Sequence, residues 1–281
     1  IFRPDVIALT TTHGNVGENQ AYENTQRILD IAKRREVNIY RGSERSLVIS
    51  YETDYYFGKD GLGDNETVIY ETIAAQKSHA AVALIELSKI YKDNLIVLSI
   101  GPLTNIALAI RLDPGFIGRI SQLYVSAGTE YNEDNPEPEF NALMDVEAYH
   151  AVAGSSNPEK VTVISFGMIQ SNLNISKDWR VNVLGAIPTT TMRALNIFER
   201  VSLTNSDRWH LLDPGAAAIV LDKAIIEKEK FTNNSIILCG KKRGINTNDF
   251  ESAEPNTKFI YSLHKDHYKK MLLDIFGAEL K

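Results

Sequence analysis

A chain of 281 residues with 43% hydrophobic and 23% charged side chains has the ordinary composition of one large globular domain, residues 1–281, with no linker-like stretch to divide it. Its formal net charge of −6 argues against an electrostatic nucleic-acid surface, and no apolar run approaches the roughly 20 residues of a membrane span, so neither nucleic acid nor membrane is an expected partner. A single cysteine, Cys239, excludes an internal disulfide and any thiolate metal cluster, and its place at the end of "SIILC" predicts a buried structural thiol.

In chain order, the pattern alternates short β-branched runs with helical periodicity. "DVIALTT" (5–11) reads as a strand almost at the start, as though an earlier element preceded it, and a helix follows near 19–35. A second helix is expected near 67–92, then the strand "NLIVLSI" (94–100) and a helix near 103–112. "QLYVSAG" (122–128) precedes a helix near 143–154, "VTVISF" (161–166) precedes one near 214–229, and "SIILCG" (235–240) precedes one near 258–278. This alternation predicts an α/β fold, a mostly parallel, Rossmann-like open sheet flanked by helices. The basic run Lys241-Lys242-Arg243 reads as a solvated loop. Sequons at Asn65, Asn174 and Asn233 do not decide between a cytoplasmic and a secreted protein.

Open parallel sheets bind ligands beyond the carboxyl ends of their strands. The residues found there are oxygen-rich: Thr10 to Asn15 after the first run, Gly101 to Asn105 after the second, and Thr129-Glu130 followed by "PEPEFNALMD" (136–145) after the third. If that decapeptide is extended, Glu139 and Asn141 point one way and Phe140 the other. Carboxylates and amides together suit sugar hydroxyls and a hard cation. Read without function, the same acids from Glu130 to Glu139 form a solvated loop, Asp213 of "LLDPGAAAIVLD" is a helix N-cap, His13 is a hydrogen-bonded structural histidine, and "YFGKDGLGDNE" (56–66) is a tight loop. No dinucleotide or phosphate-loop glycine motif appears, nor the commonest hydrolase signatures.

Taken together and in order, "ALTTTHGNV", "NTQRILD", "YFGKDGLGD", "SIGPLTNIALAI", "PEPEFNALMDVEA" and "LDPGAAAIVLD" resemble the inosine-uridine preferring nucleoside hydrolases. The resemblance implies hydrolysis of the N-glycosidic bond of ribonucleosides to ribose and free base, with Ca²⁺ as cofactor, a ribonucleoside as substrate and a homodimer or homotetramer as the assembly. It implies that Glu139 and Asn141 grip ribose hydroxyls, that Asn15 contacts ribose, that Phe57 stacks on the base, and that Asp213 and the Ile100 carbonyl ligate the ion.

Four departures accompany the resemblance. The family's Asp-x-Asp-x-Gly-x-Asp-Asp strand, which supplies most calcium ligands and the base that activates water, is not in the sequence. Leu212 stands where many members have a leaving-group histidine, and His210, three residues before Asp213, does not take that role by alignment. Phe57 stands where a histidine is usual. Glu133 falls on a usual asparagine, which a small shift would align with Asn132 or Asn135. Two readings therefore remain: a calcium-assisted hydrolase whose leaving-group chemistry disfavours purines, or a catalytically silent nucleoside- or ribose-binding homologue that has lost the metal.

Overall fold

The computed structural model describes residues 4–65, 71–130, 137–210 and 212–280. Its strands are β1 (Ala8–Thr10), β2 (Asn38–Tyr40), β3 (Ile96–Ser99), β4 (Gln122–Val125), β5 (Val161–Ile164), β6 (Ile226–Ile236), β7 (Asn246–Asp249) and β8 (Thr257–Leu263). Its α-helices are α1 (Glu18–Ile31), α2 (Ala80–Ile90), α3 (Thr104–Leu112), α4 (Phe116–Arg119), α5 (Phe140–Met144), α6 (Val146–Ala153), α7 (Phe166–Leu173), α8 (Lys177–Trp179), α9 (Thr190–Phe198), α10 (Leu212–Leu221) and α11 (Lys265–Phe276). Among the described residues, no helix is long and apolar enough to cross a membrane.

Strands β1 and β2 pair in parallel as a separate two-stranded unit. The remaining six form one sheet in the order β3-β4-β5-β8-β6-β7, parallel from β3 to β8 and antiparallel where β6 joins β8 and β7. The expected α/β class and mostly parallel sheet are therefore observed. Side-chain alternation on the central strands feeds two apolar layers. Leu123, Val125, Val161, Val163 and Phe259 pack with α2, α3 and α6, whereas Tyr124, Ile164, Ile260 and Leu263 pack with α7, α10 and α11.

The C-terminal third corrects the sequence reading. The helix expected at 214–229 stops at Leu221, because Asp222 turns extended (φ −152°) and its carboxylate accepts the Ala224 N–H at 3.0 Å in a 3₁₀ turn. Strand β6 then begins at Ile226 rather than at 235, with Thr232, Asn234 and Ile236 buried and their neighbours outward, the period-two pattern of a half-covered strand. The helix expected at 258–278 is strand β8 followed by α11, with His264 between them. No glycine or proline punctuates residues 257–276, which is why the two elements read as one.

Upstream, the helix expected at 67–92 forms only from Ala80, and part of the span, 66–70, lies outside the described residues. Cys239 is exposed rather than buried, because β6 ends at Ile236 and the apolar run leaves the sheet before reaching it. Lys241 and Lys242 of the basic run are exposed, and Arg243 is held by a two-pronged pair with Glu147, both contacts 2.8 Å, and donates to the Tyr51 hydroxyl at 3.0 Å. Of the sequons, Asn65 is buried, while Asn174 and Asn233 are exposed.

Beneath the second apolar layer lies a buried ion pair. Arg180, fully enclosed, donates to Glu199 at 2.8 Å and to the Asn196 amide oxygen at 2.7 Å, and its guanidinium lies 5.6 Å from the Trp209 ring centre. Burial pushes the Glu199 carboxyl up, opposed by Arg180 and by the Trp209 N–H. Breaking such a pair from one side strands the other charge. Glu199→Leu is expected to cost about 3–5 kcal/mol in urea denaturation, with much of the loss recovered in the double variant Arg180→Met/Glu199→Leu; a single variant as stable as the parent would show that the pair holds nothing together.

Candidate active site

The loops that follow β1, β2 and β3 are locked together by side chains with few alternatives. Asn105, at the start of α3, donates its amide to the Thr11 carbonyl at 2.9 Å and accepts the Ser43 N–H at 3.0 Å. Asp145, completely buried, caps α6 through Ala148 N–H at 3.0 Å and accepts the Thr104 hydroxyl at 2.6 Å and the Leu47 N–H at 2.9 Å. Thr104 in turn meets His13 Nε2 at 3.1 Å. Burial pushes the His13 pKa down against the pull of Asp145, so this histidine is a neutral brace within the loop, as its structural reading predicts.

Between β1 with α1 and β3 with α3 lies a cleft of about 330 Å³. Asn15, Phe57, Ile100 and Asn141, four of the six residues singled out in the sequence, line it together. Ile100 is 52% exposed, directly after β3. The Asn15 amide donates to Asp54 at 2.8 Å, and Asp54 accepts the Tyr56 N–H at 3.0 Å, which ties the loop carrying Phe57 to the end of β1. The "GKDGLGD" segment is a tight loop as expected: Asp60 accepts the N–H groups of Leu62, Asp64 and Asn65 at 2.7–2.9 Å. Its Gly63 has φ +78° and leaves 2.0 Å between an added Cβ and the Ile197 carbonyl, so only glycine lets the loop seat against α9.

Glu139 and Asp213 are not cleft-lining, and the decapeptide is not extended. Glu139 is the N-cap of the short helix α5, and its carboxylate accepts Asn141 N–H at 3.0 Å, Ala142 N–H at 3.0 Å and Gly128 N–H at 2.6 Å. It is a buried cap rather than part of a solvated acidic loop. Gly128, at φ +83°, leaves 2.8 Å to the Tyr149 hydroxyl for an added Cβ, so this close turn is also reserved for glycine. Asp213 lies in the first turn of α10 rather than at its N-cap, and it accepts the Ser126 hydroxyl at 3.3 Å.

Ser126, just past β4, is the junction that sequence reading passed over. Its hydroxyl reaches Asp213, and its carbonyl accepts the Asn141 amide at 2.9 Å. Being a small polar residue at a strand end was its only signal. Also unanticipated is an aromatic group beside Phe57. Tyr56 meets Phe57 edge-on at 4.9 Å, its hydroxyl lies 2.7 Å from His210 Nδ1, and Phe166, after β5, meets the His210 ring edge-on at 5.7 Å. Glu133, Asn132 and Asn135 lie outside the described residues.

These parts sit at the carboxyl ends of β1, β3, β4 and β5, with the Asn15 and Asn141 amides and Phe57 around one opening and the two carboxylates joined to it through Asn141 and Ser126. A sequence profile described as "Inosine-uridine preferring nucleoside hydrolase" matches residues 1–270. The chain belongs to the inosine-uridine preferring nucleoside hydrolase family. It is 25% identical over 280 residues to the inosine-uridine preferring nucleoside hydrolase of Leishmania major, covering 96% of this chain and 88% of that protein. It is 32% identical over 178 residues to uridine nucleosidase 1 of Arabidopsis thaliana, an alignment covering 62% of this chain and 52% of that protein. Against such plant uridine nucleosidases the chain spans about half of the relative's length. In fold it is similar to a plant nucleoside hydrolase structure, with a TM-score of 0.87 at 21% identity over 98% of this chain and 91% of that one.

Members of this family are generally metal-dependent. A calcium ion takes six to eight oxygens. Among the described residues, no group of three or more His, Cys, Asp or Glu side chains is placed to hold a metal, and Asp213 with the Ile100 carbonyl falls short of that number. What the donor set does show is two desolvated carboxyls. Burial pushes the Asp213 carboxyl up to about 7, opposed by the Ser126 hydroxyl and reinforced by Glu139; burial likewise raises Glu139 against its three backbone N–H partners.

A folded-state pKa above the unfolded value of about 3.9 means that the folded protein binds the extra proton. The stability this supplies is full below about pH 4 and is lost as pH rises toward 7. Asp213→Asn is therefore expected to flatten the metal-free protein's decline in urea-denaturation stability between those limits, and an unchanged slope would remove Asp213 as its source.

Proposed function

We propose that this protein hydrolyses the N-glycosidic bond of ribonucleosides, releasing ribose and the free base. The observation that carries the reading is the Ser126 junction, which joins Asn141, Asp213 and, through the shared end of β4, Glu139 beside a cleft also lined by Asn15 and Phe57. The carboxamides of Asn15 and Asn141 offer both donors and acceptors to vicinal sugar hydroxyls. The Asn141 amide nitrogen is fixed by the Ser126 carbonyl, which leaves its Oδ1 for a sugar hydroxyl. Glu139 positions that amide by capping the helix that carries it, and its remaining lone pair is the one available to substrate. Phe57 supplies a face for the base.

Calcium is the proposed ion, with Asp213 and the Ile100 carbonyl among its ligands. Since two oxygens do not fill its shell, the roles above are assigned to protein groups alone. A homodimer or homotetramer is proposed on the strength of the family resemblance.

A second reading, a nucleoside- or ribose-binding protein without turnover, is favoured by one observation: no metal-holding cluster occurs among the described residues. A reducing-sugar assay with inosine and uridine, with and without a chelator, separates the two. Ribose release that the chelator abolishes is expected, and Asn141→Ala is expected to lower it roughly 100-fold through lost positioning of the sugar. Calorimetric binding of a nucleoside with no ribose released from either compound would leave the binding reading in place of the enzyme.

A further inference from the structure

A second cavity, of about 280 Å³, lies between α8 with the π-helical turn Arg180–Leu184 that follows it and the end of α9 with the 3₁₀ turn Ser202–Thr204. It is lined by Lys177, Val181, Asn196, Arg200, Leu203 and Thr204, shares none of these with the cleft, and has no acid among them. Both polar ends of Asn196 are spent, its oxygen on Arg180 at 2.7 Å and its amide on the Gly185 carbonyl at 2.8 Å. The Thr204 hydroxyl donates to the Val201 carbonyl at 2.7 Å. What remains is an apolar wall, Val181 and Leu203, and two cations.

Among the described residues, neither Lys177 nor Arg200 pairs with a carboxylate. The acids next to them in sequence are committed elsewhere: Asp178 accepts the Asn182 amide at 2.7 Å, and Glu199 is held by Arg180 and by the Trp209 N–H. Arg200 directs Nε at the carbonyl of Gly63 and Nη2 at that of Asp64, and the Asp64 carboxylate accepts the Lys59 N–H at 2.6 Å. Nη1 of Arg200 and Nζ of Lys177 are thus the donors left to face a ligand.

We propose that this cavity binds a phosphate monoester, with the phosphate between Lys177 and Arg200 and the organic body against Val181 and Leu203. Two cations facing one space match a doubly charged group better than a carboxylate, and hydrogen bonds between ionised partners are the strong ones. The volume is at the small end of ligand sites, which suits a body of one ring or one sugar. Occupancy also reaches the cleft. An anion that fixes Arg200 fixes the Gly63 carbonyl, and the Gly63 N–H donates to the carbonyl of the cleft-lining Phe57 at 2.7 Å. The site therefore stiffens the loop that carries Phe57 without touching the cleft itself.

Calorimetric titration with phenyl phosphate, inorganic phosphate and phenol near neutral pH tests the site. Phenyl phosphate is expected to bind with a Kd below about 1 mM, inorganic phosphate roughly fivefold or more weakly for want of the apolar body, and phenol not at all. Lys177→Gln is expected to weaken phenyl phosphate by about tenfold or more, and Lys177→Arg, which keeps the charge, to stay within about threefold of the parent. Hydrogen exchange at the Gly63 amide is expected to slow by about threefold or more when phenyl phosphate is bound. No binding of phenyl phosphate up to about 10 mM, inorganic phosphate binding as tightly, equal affinity in Lys177→Gln, or unchanged Gly63 exchange would each overturn the proposal.

Discussion

The carboxylate of Glu139 takes N–H groups from Gly128, Asn141 and Ala142, and the rest of the site depends on this cap. It joins the turn that leaves β4 to the start of α5. With that turn fixed, Ser126 stands where its carbonyl meets Asn141 and its hydroxyl meets Asp213. A buried carboxylate is costly unless hydrogen-bonded, and three backbone donors are what make this one tolerable. The cap thus converts a desolvated charge into a rigid frame for the amide that faces the cleft.

The same frame sets up an electrostatic demand. Burial raises the tendency of both Glu139 and Asp213 to hold a proton, and at Asp213 the Glu139 charge adds to it. Elsewhere several acids pair with arginine, Glu199 with Arg180, Glu18 with Arg41 and Glu147 with Arg243. Those acids have a cation beside them inside the protein, whereas Asp213 meets the Ser126 hydroxyl and Glu139 meets backbone N–H groups.

How much of this was legible in the sequence follows from where the signal was local. Strands β3, β4 and β5 are short β-branched runs between clear breaks, so they read correctly along with the parallel sheet they build. β6 and β8 did not, because the charged stretch from Lys223 to Lys230 imitates a helix and only pairing with β8 makes it a strand. In the site, Asn15, Phe57, Ile100 and Asn141 were legible as residues following strands and in ordered motifs. The actual state of Glu139 was not, since a cap on a five-residue helix depends on the Gly128 turn eleven positions away. Nor was the contact of Tyr56 with His210, which spans 154 positions and leaves no periodic trace.

Asp54 carries the last link between these parts. One of its oxygens accepts both the Asn15 amide and the Tyr56 backbone N–H. In the proposed function Asn15 is the sugar-side residue on the β1 loop, and Tyr56 leads into Phe57 on the base side. The two halves of a nucleoside would therefore meet surfaces tied together through one carboxylate. On that proposal, a shift of the loop that loosened the grip on ribose would carry Phe57 with it, coupling sugar and base through covalent neighbours and two hydrogen bonds.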